Sequence, residues 1–144
     1  MKTVRDWPPN IDTIASVMPQ ARTRRGVIFT YGNAIYNPHG SDLSGALIAH
    51  EQVHSERQGK TPDQWWDAYL NDIGFRFNEE LLAHIAEYRW WLKQRDSTDP
   101  MNGFRTKGAF RLAQIAGRLS SSLYGGLVSY REATRLLKEA AGGG

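Results

Sequence analysis

The chain has no cysteine among its 144 residues, which excludes disulfides and every thiolate metal site, so a bound metal must use histidine and carboxylate ligands. Compartment stays open on that count, because cytosolic and many secreted chains alike lack cysteine. Long apolar runs are missing too. No stretch approaches the roughly 20 apolar residues of a membrane span, and Met1 to Asn10 carries no apolar run behind its charges. Neither a membrane segment nor a signal peptide is expected, and a cytoplasmic location is the default. Internal repeats are absent, and histidine is scarce, at four residues.

What is present suits one domain. A 144-residue chain that is 40% hydrophobic and rich in Trp, Tyr and Phe can bury one substantial core. We expect a single domain over 1–144, with its centre at about 27–93 and a helical C-terminal extension at about 104–141. The net charge of +3 is uneven: Arg105, Lys107, Arg111, Arg118, Arg131, Arg135 and Lys138 face only Glu132 and Glu139 after residue 100. Lys107, Arg111 and Arg118 share a helix face that would suit nucleic acid or an acidic partner. No aromatic residues interleave with them as stacking platforms, so a solvated face is the plainer reading and nucleic acid is not expected. The run Arg22-Thr23-Arg24-Arg25 reads as an exposed linker, with a nucleic-acid arm as its alternative.

His50-Glu51-Gln52-Val53-His54 organises the rest. On a helix, positions four apart share a face, so both imidazoles can reach one metal ion. Glu51 then falls beside the metal, where its carboxylate can take a proton from an activated water. Two histidines on an ordinary surface helix are the plainer alternative. The neighbourhood supports a helix from about Leu43 to Gln58, capped by Ser41 or Asp42 and closed by Gly59. Ala46, Ala49 and Val53 make its packing stripe and Leu43, Leu47, His50 and His54 the adjacent one, which sets the histidines at the edge of the buried face.

Before it, Asn10 caps a short helix over Ile11 to Met18, stopped by Pro19. Val27 to Tyr31 and Ala34 to Tyr36 form a hairpin about Gly32-Asn33, and Asn37-Pro38-His39-Gly40 turns the chain. Only these two strands are evident. After it, Thr61-Pro62-Asp63-Gln64 opens a helix whose Trp65, Trp66, Tyr69, Leu70 and Ile73 read as core, ending at Gly74. From Asn78 to Lys93, Leu81, Ile85, Tyr88 and Leu92 form an apolar helical stripe. Glu80, His84 and Glu87 make a second row beside it. A buried carboxylate is costly unless paired or coordinated, so a metal-ligating Glu80 would explain that row, and Glu87 could hold the tautomer of a ligating histidine. Asp96 to Gly103 reads as a polar connection, Thr106 to about Leu123 as a helix, and Ser129-Tyr130-Arg131-Glu132 as the capping box of another. Ser120 to Gly126 is a turn that could lie over the cleft, and the glycines 142–144 are expected to be disordered.

At these residues the sequence resembles the gluzincin-type zincin metallopeptidases, in which HExxH on one helix is followed by a glutamate ligand on the next long helix. Leu47 to His54 fits the first helix, and Glu80-Leu81-Leu82-Ala83 with Ala86-Glu87 is similar to the ExxA-containing second helix of short bacterial and phage-encoded members. The resemblance covers roughly Val27 to Trp91. It implies a mainly α fold with a small β-hairpin, a Zn2+ site of His50, His54 and Glu80, and Glu51 as general base. Glu79 competes with Glu80, but only Glu80 gives the ExxA spacing. Ser55 to Gly59 supplies no third histidine, which excludes the metzincin pattern, and the chain lacks the second domain of thermolysin-like enzymes.

The expected activity is hydrolysis of a peptide or protein substrate. His84, Tyr88 and Tyr124 are candidate donors to the oxyanion, with His84 nearest the ligand in sequence. The alternative is a non-catalytic module that uses the same zinc site to fasten two helices while its basic C-terminal region contacts nucleic acid or a protein. Glu51 separates the two, since a structural site needs no base. A metal-free helical interaction domain is the third reading. Oligomeric state is not encoded in any pattern we recognise.

Overall fold

The computed structural model describes residues 1–94 and 107–142. In chain order these form β1 (Lys2–Val4), α1 (Ile11–Val17), α2 (Gln20–Thr23), β2 (Phe29–Tyr31), β3 (Ala34–Tyr36), α3 (Gly45–Gln58), α4 (Pro62–Asn71), α5 (Ile73–Lys93), α6 (Lys107–Leu119) and α7 (Tyr130–Gly142). The fold is therefore mainly α with a small sheet, in the α+β class. The connection expected between Asp96 and Gly103 lies outside the described residues, as do Gly143 and Gly144, while Gly142 closes α7. Among the described residues no helix is long and apolar enough to cross a membrane.

The sheet has three strands, not two, in the order β1-β3-β2. β2 and β3 pair antiparallel about Gly32, whose φ of 62° the turn requires. β1 adds in parallel to β3, with Thr3 opposite Ile35. Lys2 and Thr3 are exposed, so β1 has no alternating apolar pattern by which the sequence could announce it.

Helix boundaries shift where side chains find other partners. Ser41 does not cap α3, because its backbone N–H donates to Asn37 Oδ1 (3.0 Å) and its carbonyl accepts from Asn37 Nδ2 (2.8 Å). Ser44 caps it instead, accepting from the Leu47 N–H at 3.1 Å. Asp72, not Gly74, divides α4 from α5: it ends one helix and caps the next by accepting from the Phe75 N–H. The helix that carries Glu80 thus starts at Ile73, ahead of Asn78. α6 stops at Leu119, and a 3-10 turn over Ser122–Tyr124 exits through Gly125 at φ 84°.

α5 separates two hydrophobic cores. On one side Trp65, Trp66, Tyr69 and Leu70 of α4 pack with Ile14, Ala21 and Phe29. On the other, Leu81, Ile85, Tyr88 and Leu92 pack against Leu112, Ile115 and Leu119 of α6 and Ala133 and Leu137 of α7. A third face of α5 lies along α3. Their contact is tight at one end, where a methyl group on Gly45 would sit 2.4 Å from Trp90 Cζ2. Gly45→Ala should therefore lower stability by about 1–3 kcal/mol through overpacking, against alanine's better helix propensity. An unchanged urea midpoint would mean that the Trp90 ring moves aside freely.

Candidate metal centre

The buried residues of α3 are Ala46, His50, Glu51, His54 and Gln58, so the histidines occupy the centre of its buried face and not the edge. Ala49 and Val53, read from the sequence as its packing stripe, are only half-buried. The reason is that α3 meets its mirror image in chemistry: α5 turns Glu79, Glu80, Ala83, His84 and Glu87 inward, all buried. The two helices are joined by charge and hydrogen bonds as well as by apolar contact.

Glu80 is the hub. Its Oε2 lies 3.2 Å from His50 Nε2 and its Oε1 3.2 Å from His54 Nε2. Tyr69 donates its hydroxyl to Oε1 at 2.6 Å. Behind His50, Nδ1 lies 3.1 Å from Glu87 Oε1, and Arg118 of α6 donates to the other Glu87 oxygen. Burial alone would lower the His50 pKa, but its contacts with Glu80 and Glu87 outweigh that and raise it to about 10. Burial opposes ionisation of Glu87 too, yet its bond to His50 and the nearby positive charge hold it at about 2. Glu80 is held well below the usual carboxylate range by His54 and His50, again against burial. Metal ligation needs a neutral imidazole, so a metal ion at His50 Nε2 would displace the proton that these contacts favour.

The donor set could hold a metal ion. Ligand atoms of His50, His54 and Glu80 all lie within 4.8 Å of one another. Glu80 Oε2, although near His50, lacks the directionality of a hydrogen bond and is left buried without a partner. A buried carboxylate oxygen without a hydrogen bond is costly, and a cation among these donors would offset that cost. Two nitrogens and a carboxylate, with no thiolate, suit zinc. A second group, His50, His84 and Glu87, is equally compact. It suits an ion less well. His84 Nδ1 lies 2.6 Å from the Glu80 carbonyl oxygen, and Glu87 already faces Arg118.

Glu51 belongs to neither group. Its Oε2 accepts from the Thr30 hydroxyl at 2.6 Å, and its side chain lines a cleft of about 430 Å³ with His50, Tyr69, Glu80, His84 and Tyr124. The neighbouring hairpin is fixed to the helices through Thr30 as well, since the Thr30 carbonyl accepts from Gln58 Nε2 (2.8 Å) and Trp66 Nε1 (3.0 Å). Glu79, the rival ligand, is committed elsewhere: it accepts from Trp65 Nε1 at 2.6 Å and from Arg57.

The three oxyanion candidates separate. Tyr88 packs in the core against α6 and α7 and does not line the cleft. His84 lines it, but burial and the charge of His50 lower its pKa to about 3, so it is neutral, with its Nδ1 proton directed at the Glu80 carbonyl. That leaves its other nitrogen an acceptor. Tyr124 also lines the cleft, and burial and Glu80 raise its pKa, so its hydroxyl keeps a proton to donate.

Sequence reasoning missed Thr30, Gln58, Tyr69 and Arg118. Gln58 was readable, as the next member of the spacing-four row Ala46, His50, His54. The others come from separate elements, and no local pattern connects them. Comparison of the chain with protein families, curated proteins and solved structures finds no match.

Proposed function

We propose that the chain is a minimal zinc metallopeptidase of the gluzincin type, with His50, His54 and Glu80 holding the ion. The observation that carries this reading is the buried Glu80 carboxylate, whose two oxygens each lie 3.2 Å from Nε2 of one histidine of an HExxH helix, together with Glu51, which lines the adjoining cleft. A bound zinc ion supplies Lewis acidity, making water a nucleophile near neutral pH and polarising a carbonyl. The residues do the rest. Glu51, aimed by Thr30, takes the proton from water as it attacks a peptide carbonyl and returns it to the leaving nitrogen. Tyr124 donates to the developing oxyanion. Glu87, steadied by Arg118, keeps Nδ1–H of His50 engaged so that Nε2 faces the ion.

The structural-zinc alternative uses the same ligands, but gives no task to a buried glutamate that lines the cleft and stays out of the ligand group. The test is elemental analysis of protein purified without added metal, together with cleavage of a mixed peptide library. About one zinc per chain and cleavage abolished by a chelator are expected. A chain that neither retains nor takes up a divalent ion would defeat the proposal.

A further inference from the structure

We infer that this centre acts on acidic peptides, held by a basic groove that continues the cleft; the inference rests on the metallopeptidase reading and names its substrate class. Beside the cleft lies a second cavity of about 840 Å³, and the two share Arg24, Leu47, Arg118, Leu123 and Tyr124 as walls. They form one continuous depression with the candidate metal centre at its inner end.

Among the described residues, the outer cavity is lined by more basic than acidic side chains. Arg24 and Arg25 enter from the segment after α2, and Arg111 and Arg118 from α6. Among the described residues, the only carboxylate lining the outer cavity is Glu87, which already faces His50 and Arg118. Glu51 and Glu80 line the inner cleft, beside the histidines. The two basic stretches that looked like solvated decoration in the sequence therefore converge from opposite ends of the chain on one groove. Arg111 is held with its guanidinium 4.3 Å from the Trp91 ring centroid and one nitrogen on Gln114, which fixes its position. A groove that concentrates positive charge at a hydrolytic centre draws in anionic substrate and lowers the cost of docking carboxylates there. Arginine's planar fork suits carboxylate side chains. Nucleic acid is disfavoured because Trp91, the aromatic ring of the outer wall besides Tyr124, already has Arg111 over one face.

The experiment uses full-length, zinc-supplemented Glu51→Gln protein and two fluorescein-labelled dodecapeptides that differ only in carrying three Glu or three Gln. Anisotropy should show tighter binding of the Glu peptide, weakening as salt rises. Arg111→Gln, and separately the surface pair Arg24→Gln/Arg25→Gln, should each weaken that binding by roughly three- to tenfold while leaving the Gln peptide unaffected. The surface pair keeps the test decisive if Arg111→Gln fails to fold. Equal binding of the two peptides, or an indifferent response to both arginine changes, would overturn the inference. So would tighter binding of an oligothymidylate than of the Glu peptide. Because binding is read without turnover, absence of cleavage in wild type counts against the peptidase reading alone.

Discussion

On the zinc reading, Glu80→Ala is expected to abolish metal retention and also to destabilise the metal-free fold by about 3–5 kcal/mol. The two losses have different origins. Metal retention falls because the site loses its anionic donor, leaving two neutral imidazoles for a dication. Stability falls because Glu80 is 4% exposed, accepts from the Tyr69 hydroxyl and is the carboxylate that lies 3.2 Å from both His50 and His54. Removing it leaves a buried phenol without its partner and a His50 proton balanced by Glu87 alone. Against a usual total of roughly 5–15 kcal/mol, that is a large fraction. Glu80→Gln separates the effects: the amide oxygen can still accept from Tyr69 and fills the same volume, so the fold should survive while zinc is lost. Elemental analysis and urea melts of both variants read the two quantities independently. If Glu80→Gln folds and still holds one zinc that His84→Ala then loses, the ion belongs to the His50, His84 and Glu87 group.

How much of this was readable in sequence follows from what each residue's role depends on. The rows His50/His54 and Glu80/His84/Glu87 are set by helical period alone, and both fall on inward faces of α3 and α5. What periodicity could not give was depth. Rules that equate apolar with buried put Ala49 and Val53 inside and the histidines at the rim, whereas charged groups that satisfy one another can take the centre of an interface. Long-range partners were out of reach as well. Thr30 reaches Glu51 with its hydroxyl while its carbonyl accepts from Gln58 and Trp66, contacts between residues at least 21 positions apart. Arg118 reaches Glu87 across the contact of α5 with α6. The strand β1 was invisible for another reason: it is three residues long, largely exposed and recruited by an edge already formed.

Glu51→Gln should leave zinc content and folding unchanged and lower peptide cleavage by roughly 10²–10⁴-fold. The substitution isolates proton transfer. The amide oxygen can still accept from the Thr30 hydroxyl, so the side chain keeps its place beside the cleft, but it can no longer take a proton. Because Glu51 is in neither candidate ligand group, metal binding has no reason to change. Thr30→Val is the companion variant. Valine matches threonine in shape and strand preference, and the carbonyl contacts to Gln58 and Trp66 belong to the backbone, so the hairpin should hold. What is lost is the hydroxyl that aims the carboxylate, and a fall in kcat of about tenfold with little change in KM is expected, since misplacing a base costs rate more than binding. If both variants cleave as wild type does, Glu51 is not the base. If Glu51→Gln is inactive and Thr30→Val is not, the base finds its position without the hairpin. Only a graded loss, large for the first and smaller for the second, makes the strand part of the catalytic machinery.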